Sequence, residues 1–174
     1  MRGRGTLHAF DRKVGGLVKR LPKWLYPFME LFTLLGQPPI TVGISAAVFG
    51  YGLALNKPFY LNAGIIAIAT ITFSSLLKIP LRRARPDNEY VDKMFFKTYS
   101  FPSGHAAGAA MSYCLAAIVI GMRWPEWALR VWILSLVMTF FVSLSRIYLG
   151  AHFASDIIGG WAVAIVGLGI ILFV

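Results

Sequence analysis

Ionisable residues beside long apolar runs concentrate in three short blocks of this chain. The first reads Lys78-Ile-Pro-Leu-Arg-Arg-Ala-Arg85-Pro86, the second Tyr99-Ser-Phe-Pro102-Ser103-Gly104-His105. The third runs from Ser145-Arg146 through His152 to Asp156. Charges placed next to membrane-length segments are costly unless they are paired or used. Three fixed cations, Lys78, Arg85 and Arg146, gathered around one point suit a phosphate, whose oxygens accept several charge-assisted hydrogen bonds at once. On a helical stretch Lys78 and Arg85 would share a face, although Pro80 and Pro86 interrupt such a stretch. Ser103 and Gly104 fall where an apolar run begins, so a hydroxyl and backbone N–H groups there can meet an anion at a helix N-terminus. Gly104 has no side chain to obstruct that approach. Taken alone, the basic block is equally a positive flank of a membrane span.

The histidines separate binding from catalysis. His152 and Asp156 have helical i, i+4 spacing, so the carboxylate can accept the imidazole N–H and fix its tautomer. A ring nitrogen so oriented is a nucleophile able to take a phosphoryl group. His105 could then protonate the leaving oxygen as general acid. Any one of these residues alone is as readily a hydrogen-bonded polar group at a helix end, which is the reading given to His8. Two histidines and a carboxylate could also hold a metal, but three converging cations would repel one. No metal and no cofactor is therefore expected.

The elements that must position these blocks are helices in a membrane. Among 174 residues, 57% are hydrophobic and only 14% charged, against about 25% charged in a soluble domain. Lys and Arg number 17 against 7 Asp and Glu, a net charge of +10, yet this much apolar material excludes disorder and a nucleic-acid module. The single cysteine, Cys114, can form no internal disulfide. Spanning a bilayer takes about 20 mostly apolar residues in a helix. Phe59–Leu77, His105–Met122, Trp127–Ser145 and Ile157–Val174 qualify, and the shorter Ile40–Leu55 carries no charge. Polar breaks separate them, including one from Arg146 to Asp156. With spans alternating in direction, the three blocks fall at one face of the bundle.

The chain divides into a basic N-terminal segment, 1–38, and a transmembrane core, 39–174. Trp24, Leu25, Phe28, Leu31, Phe32 and Leu35 make one apolar stripe at helical spacing. At about 18 Å the stretch is too short to span, and an amphipathic interfacial helix fits better. If Trp24–Leu35 did cross, the spans would number six. The expected fold is an all-α polytopic transmembrane helix bundle: five spans plus that interfacial helix. Fourteen of the basic residues lie on the face of the three blocks and three on the other. The positive-inside rule would put the richer face in the cytoplasm, but charges kept for chemistry cannot be counted toward orientation.

The blocks resemble the three motifs of the type-2 phosphatidic acid phosphatase family of membrane lipid phosphatases: K-x6-R-P, P-S-G-H and S-R-x5-H-x3-D. Every defined position matches, as Lys78…Arg85-Pro86, Pro102-Ser103-Gly104-His105 and Ser145-Arg146…His152…Asp156. The resemblance implies a metal-independent phosphatase with a phosphohistidine intermediate. His152 would attack phosphorus, Asp156 orient it and His105 protonate the departing group. Lys78, Arg85, Ser103, Gly104 and Arg146 would hold the phosphoryl oxygens. Arg82 and Arg83 lie outside the motif and are expected to contact lipid headgroups. The implied substrate is a lipid phosphate or diphosphate such as phosphatidic acid, phosphatidylglycerophosphate or a polyprenyl diphosphate. The protein is expected in the cell membrane, multi-pass, among membrane lipids and without nucleic acid. A non-catalytic protein that binds or transports lipid phosphates would keep the cations but need no His152–Asp156 pair. Vanadium haloperoxidases have similar anion-binding residues, but they are soluble.

Overall fold

In the computed structural model, residues 2–94 and 98–173 are described, and the helices are numbered in chain order. They are α1 (Arg2–Val18), α2 (Tyr26–Leu35), α3 (Pro38–Leu55), α4 (Pro58–Leu76) and α5 (Lys78–Leu81). There follow α6 (Glu89–Asp92), α7 (Gly104–Arg123), α8 (Ala128–Tyr148) and α9 (Ala154–Ile171). Proline sets where several begin. α3 and α4 carry it in the first turn, and the 3-10 turn Pro125–Trp127 leads into α8. At that position the missing N–H would have had no partner and the fixed φ suits a helix.

Among the described residues, five segments are long and apolar enough to cross a membrane: Pro38–Leu55, Pro58–Leu81, Gly104–Arg123, Pro125–Tyr148 and Ala154–Ile171. These are the five expected spans, with shifted ends. Lys97 and Val174 lie outside the described residues, as do the side chains of Arg2 and Arg4. The largest shift is at the third block. α8 runs on to Tyr148 and α9 begins at Ala154, so the expected polar break from Arg146 to Asp156 shrinks to 149–153. Arg146 does not end the span because its head is surrounded by protein, not lipid.

α7 is the central helix, with α3, α4, α8 and α9 packed around it. Its small residues Ala106, Ala107, Ala109 and Ala110 are buried, with Met111 and Leu115 facing Ala63, Ala67 and Ile71 of α4 and Ala164 of α9. Small residues allow the close backbone approach on which membrane helices depend. At Gly160 a Cβ would lie 2.6 Å from the Ser103 carbonyl, so α9 presses directly on the start of α7.

The N-terminal segment is more ordered than its composition suggests. α1 is a 17-residue helix lying against α8 and α9, within the segment read from the sequence only as basic. Gly3, Gly5, Gly15 and Gly16 lower its intrinsic helix propensity by about 1 kcal/mol each, and tertiary contacts of buried Asp11 and Val18 override that. α2 has ten residues and turns Phe28, Leu31 and Leu34 outward, as an interfacial helix does. Its other face is buried: Met29 and Thr33 point inward, and Phe32 stacks on Phe141 of α8 at 4.8 Å.

Candidate active site

A cavity of about 700 Å³ is lined by Lys78, Arg85, Gly104, His105, Arg146 and His152. They come from the end of the second span, the loop after it, the start of α7, the end of α8 and the loop before α9. Thus six of the expected site residues face one space. Ser103 and Asp156 are not among its lining residues. The Ser103 N–H donates to the Asp156 carbonyl at 3.0 Å, and its hydroxyl oxygen accepts from Ala106 N–H at 3.4 Å. Contrary to expectation, the Ser103 N–H is therefore committed to joining α7 to α9.

His152 sits in a loop folded back on α8. The N–H groups of Ala151 and His152 both donate to the Arg146 carbonyl, at 2.9 and 3.1 Å. Gly150 makes that reversal at φ +73°, and its carbonyl accepts from Asn88 Nδ2 at 2.7 Å. His152 lies ahead of α9, so the expected helical relation to Asp156 does not hold. The two still meet because Asp156 turns its carboxylate back over the start of α9, where Oδ2 accepts from Phe153 N–H at 2.9 Å. His152 Nδ1 is 3.4 Å from that oxygen, and Nε2 is 3.2 Å from Arg85 Nη1. A guanidinium only donates, so Nε2 presents its lone pair and Nδ1 carries the proton. The imidazole is almost wholly buried, and burial first, then Arg146, Arg85 and Lys78, hold its proton affinity well below the ordinary 6.5. The ring is neutral at physiological pH, as a nucleophile must be.

The cations are oriented by neutral groups. Lys78 Nζ donates to the Tyr99 carbonyl at 3.1 Å. Arg85 donates to the carbonyls of Thr98 at 2.7 Å and Ala151 at 2.9 Å. Arg146 bonds the Thr33 hydroxyl and the Tyr90 hydroxyl, the latter at 3.3 Å, and Nε has no partner among the described residues. None of the three forms an ion pair among the described residues. Carbonyls and hydroxyls fix such cations without cancelling their charge, which leaves the cavity an anion receptor. Among the described residues, no group of three or more His, Cys, Asp or Glu could hold a metal ion.

The sequence pattern of the PAP2 superfamily matches residues 59–174, which contain all three blocks. The chain belongs to that superfamily. This PAP2 protein is 31% identical to phosphatidylglycerophosphatase B of Bacillus subtilis, over 86% of its own length and 72% of that protein. It is 30% identical to an undecaprenyl-diphosphatase of Sulfolobus acidocaldarius over 54% of its length and 44% of that protein. The crystal structure of a transmembrane PAP2-type phosphatidylglycerolphosphate phosphatase from Bacillus subtilis superposes with a TM-score of 0.79. That match has 26% identity and covers 96% of this chain and 85% of that one.

Several residues at the site of this PAP2 protein were not singled out from its sequence. Thr33 and Tyr90 hold Arg146, and Asn88 holds the Gly150 turn. Ser100 donates its hydroxyl to Asp156 Oδ2. Arg83, expected at lipid headgroups, instead lies between the carboxylates of Asp11 and Asp156, 2.6 Å from each, and over the Phe153 ring at 4.4 Å. Asp11 offered one signal: it is the only acid among the first 20 residues. Thr33 and Tyr90 offered none beyond polarity.

Proposed function

We propose that this protein removes the terminal phosphate from a lipid phosphate or lipid diphosphate through a phosphohistidine on His152. The observation that carries this reading is the imidazole's two-sided anchoring, Nδ1 toward Asp156 and Nε2 into the cationic cavity beside Arg85. In the first step the Nε2 lone pair attacks phosphorus while Lys78, Arg85, Arg146 and the Gly104 N–H hold the phosphoryl oxygens. The bond from phosphorus to the lipid oxygen breaks, its electrons stay on that oxygen, and His105 supplies the proton. Asp156 stabilises the imidazole as positive charge develops on it. Water then attacks phosphorus and gives a proton to His105, the N–P bond returns its electrons to Nε2, and inorganic phosphate departs. Fixed charges aimed at the transferring group are the dominant effect in such reactions.

A lipid leaving group is supported by the cavity wall, where Pro38, Pro39, Val42 and Ile71 continue the lining from the charged residues toward the bilayer. The names of the Bacillus and Sulfolobus relatives support both a monoester and a diphosphate as substrates. The site then lies at one face of the cell membrane, the face that also carries α1. The test is phosphate release by purified protein in detergent from phosphatidic acid, phosphatidylglycerophosphate and a polyprenyl diphosphate, all with EDTA present. Release that disappears in His152→Asn is expected. Lipid binding without release would favour a carrier, and a requirement for added metal would overturn the mechanism.

A further inference from the structure

Behind Asp156 lies a largely buried row of alternating charge that the proposed steps leave unused. Asp11 of α1 is 5% exposed, and its Oδ2 is 2.6 Å from Arg83 Nη2. The other arm of Arg83, Nη1, is 2.6 Å from Asp156 Oδ1 and donates to Ser155 Oγ at 2.6 Å. Asp11 also reaches the start of α9, accepting from Ser155 N–H at 2.9 Å and from the Ser155 hydroxyl at 2.8 Å. Phe153, the residue in the N-cap position of α9, has no side-chain oxygen to satisfy those N–H groups. Asp11, from a helix more than 140 residues earlier in sequence, supplies the carboxylate that a helix N-terminus favours.

The division of oxygens matters. Asp156 gives Oδ1 to Arg83 and keeps Oδ2 for Phe153 N–H, the Ser100 hydroxyl and His152 Nδ1. A guanidinium freed on one side tends to grip a carboxylate through both of its oxygens. Without Asp11 to hold Nη2, Arg83 is free to turn that arm onto Oδ2 and compete with the imidazole.

We propose that Asp11 is a positioning residue: by holding one arm of Arg83 it limits that arginine to Oδ1 of Asp156 and reserves Oδ2 for His152. The inference rests on the phosphohistidine reading above, and it makes α1 part of the working enzyme. The groups facing His152 set the sign of the test. Lys78, Arg85 and Arg146 are positive, Asp156 is negative, His105 faces the same cavity, and Arg83 stands behind Asp156. Removing the Asp11 charge makes the field at His152 more positive, whereas removing Arg83 makes it less so.

Full-length parent, Asp11→Asn, Asp11→Glu and Arg83→Met are compared for kcat, KM and pH dependence on one lipid phosphate. Asp11→Asn keeps the side-chain size and an acceptor for Ser155 but gives up the charge. It is expected to lower kcat about tenfold, the scale of losing a group that orients a catalytic side chain, with KM changed less than about twofold. Asp11→Glu recovers part of that loss. The acid limb of kcat/KM moves to lower pH in Asp11→Asn and to higher pH in Arg83→Met. Parental kcat and pH profile in Asp11→Asn, or movement of both limbs in one direction, would overturn the proposal. Reduced yield with unchanged specific activity would also overturn it, by making Asp11 a packing residue only. Nitrogen NMR of the His152 ring reads the same shift without turnover, so it tests Asp11 even where an inactive parent has sunk the phosphatase reading.

Discussion

Arg146 provides the sharpest test of whether the cavity is built for an anion. Its head is 2% exposed, it holds two hydroxyls, and it lacks an ionic partner among the described residues. Replacement by methionine keeps the volume and removes the charge. Losing two hydrogen bonds to a charged donor costs about 1.5–3 kcal/mol each, while relief of a buried cation with an unpaired Nε returns an amount of the same order. The ligand-free variant should therefore unfold near the parent, within about 2 kcal/mol. A structural ion-pair arginine would instead cost about 3–5 kcal/mol.

Ligand linkage separates the two cases further. Orthovanadate at about 100 times its Kd stabilises the parent by about 2.7 kcal/mol. In a protein of this size that is a rise in Tm of roughly 5–11 °C, at about 2–4 °C per kcal/mol. Losing a buried charge partner weakens anion binding by at least about 2 kcal/mol, or roughly thirtyfold. At the same vanadate concentration Arg146→Met then gains less than about 1 kcal/mol, a rise under about 4 °C. Thermal unfolding in detergent, with and without vanadate, gives all four values. A ligand-free collapse of the variant, or an undiminished vanadate shift, would refute the reasoning.

Other residues give separate checks. His152 is neutral in the fold and binds protons more readily once unfolded, so between pH 6.5 and its lower folded value the unfolded chain holds more protons. Stability should then fall as pH drops below 6.5, His152 contributing roughly 1.4 kcal/mol per pH unit, and the slope should be shallower by that amount in His152→Gln. Gly150→Ala forces a side chain into φ +73° with its Cβ 2.8 Å from Asn88 Nδ2; it should cost about 1–3 kcal/mol and lower activity, because His152 rides on that turn. Gly169→Ala, which meets open space within α9, is the control and should leave activity unchanged and stability no lower. Thr33→Val removes a hydroxyl from Arg146 and should reduce kcat/KM by about tenfold, near 1.4 kcal/mol, in steady-state assays.

Spans and motif blocks were legible for different reasons. Hydropathy is local, so five apolar stretches announce themselves, and alternation of direction alone puts the three blocks at one face. The six expected residues that line the cavity follow from the motif blocks together with that topology. What stayed hidden depends on partners far apart in sequence: Thr33 lies 113 residues from Arg146, and Tyr90 lies 56 residues from it. No periodicity encodes such pairs. The helical-face argument for Lys78 and Arg85 failed because Arg82, at φ 45°, ends α5, and the chain then reaches Arg85 without helix. The argument for His152 and Asp156 reached the right contact through the wrong local structure, since a carboxylate turned back at a helix start spans the same gap. α1 was read only as part of a basic segment because its glycines and basic residues conceal a helix, one that packs on the bundle through Asp11 and Val18.

The claim at the centre is that His152 carries the phosphoryl group. Protein incubated with substrate labelled at its terminal phosphate, quenched in alkali and mapped by peptide, reads this directly, because a histidine N–P bond survives base and breaks in acid. The account predicts acid-labile label on His152, retained in His105→Asn when the substrate's leaving group needs no proton, and none in His152→Asn. Acid-stable label on a serine, or parental turnover by His152→Asn, would contradict it.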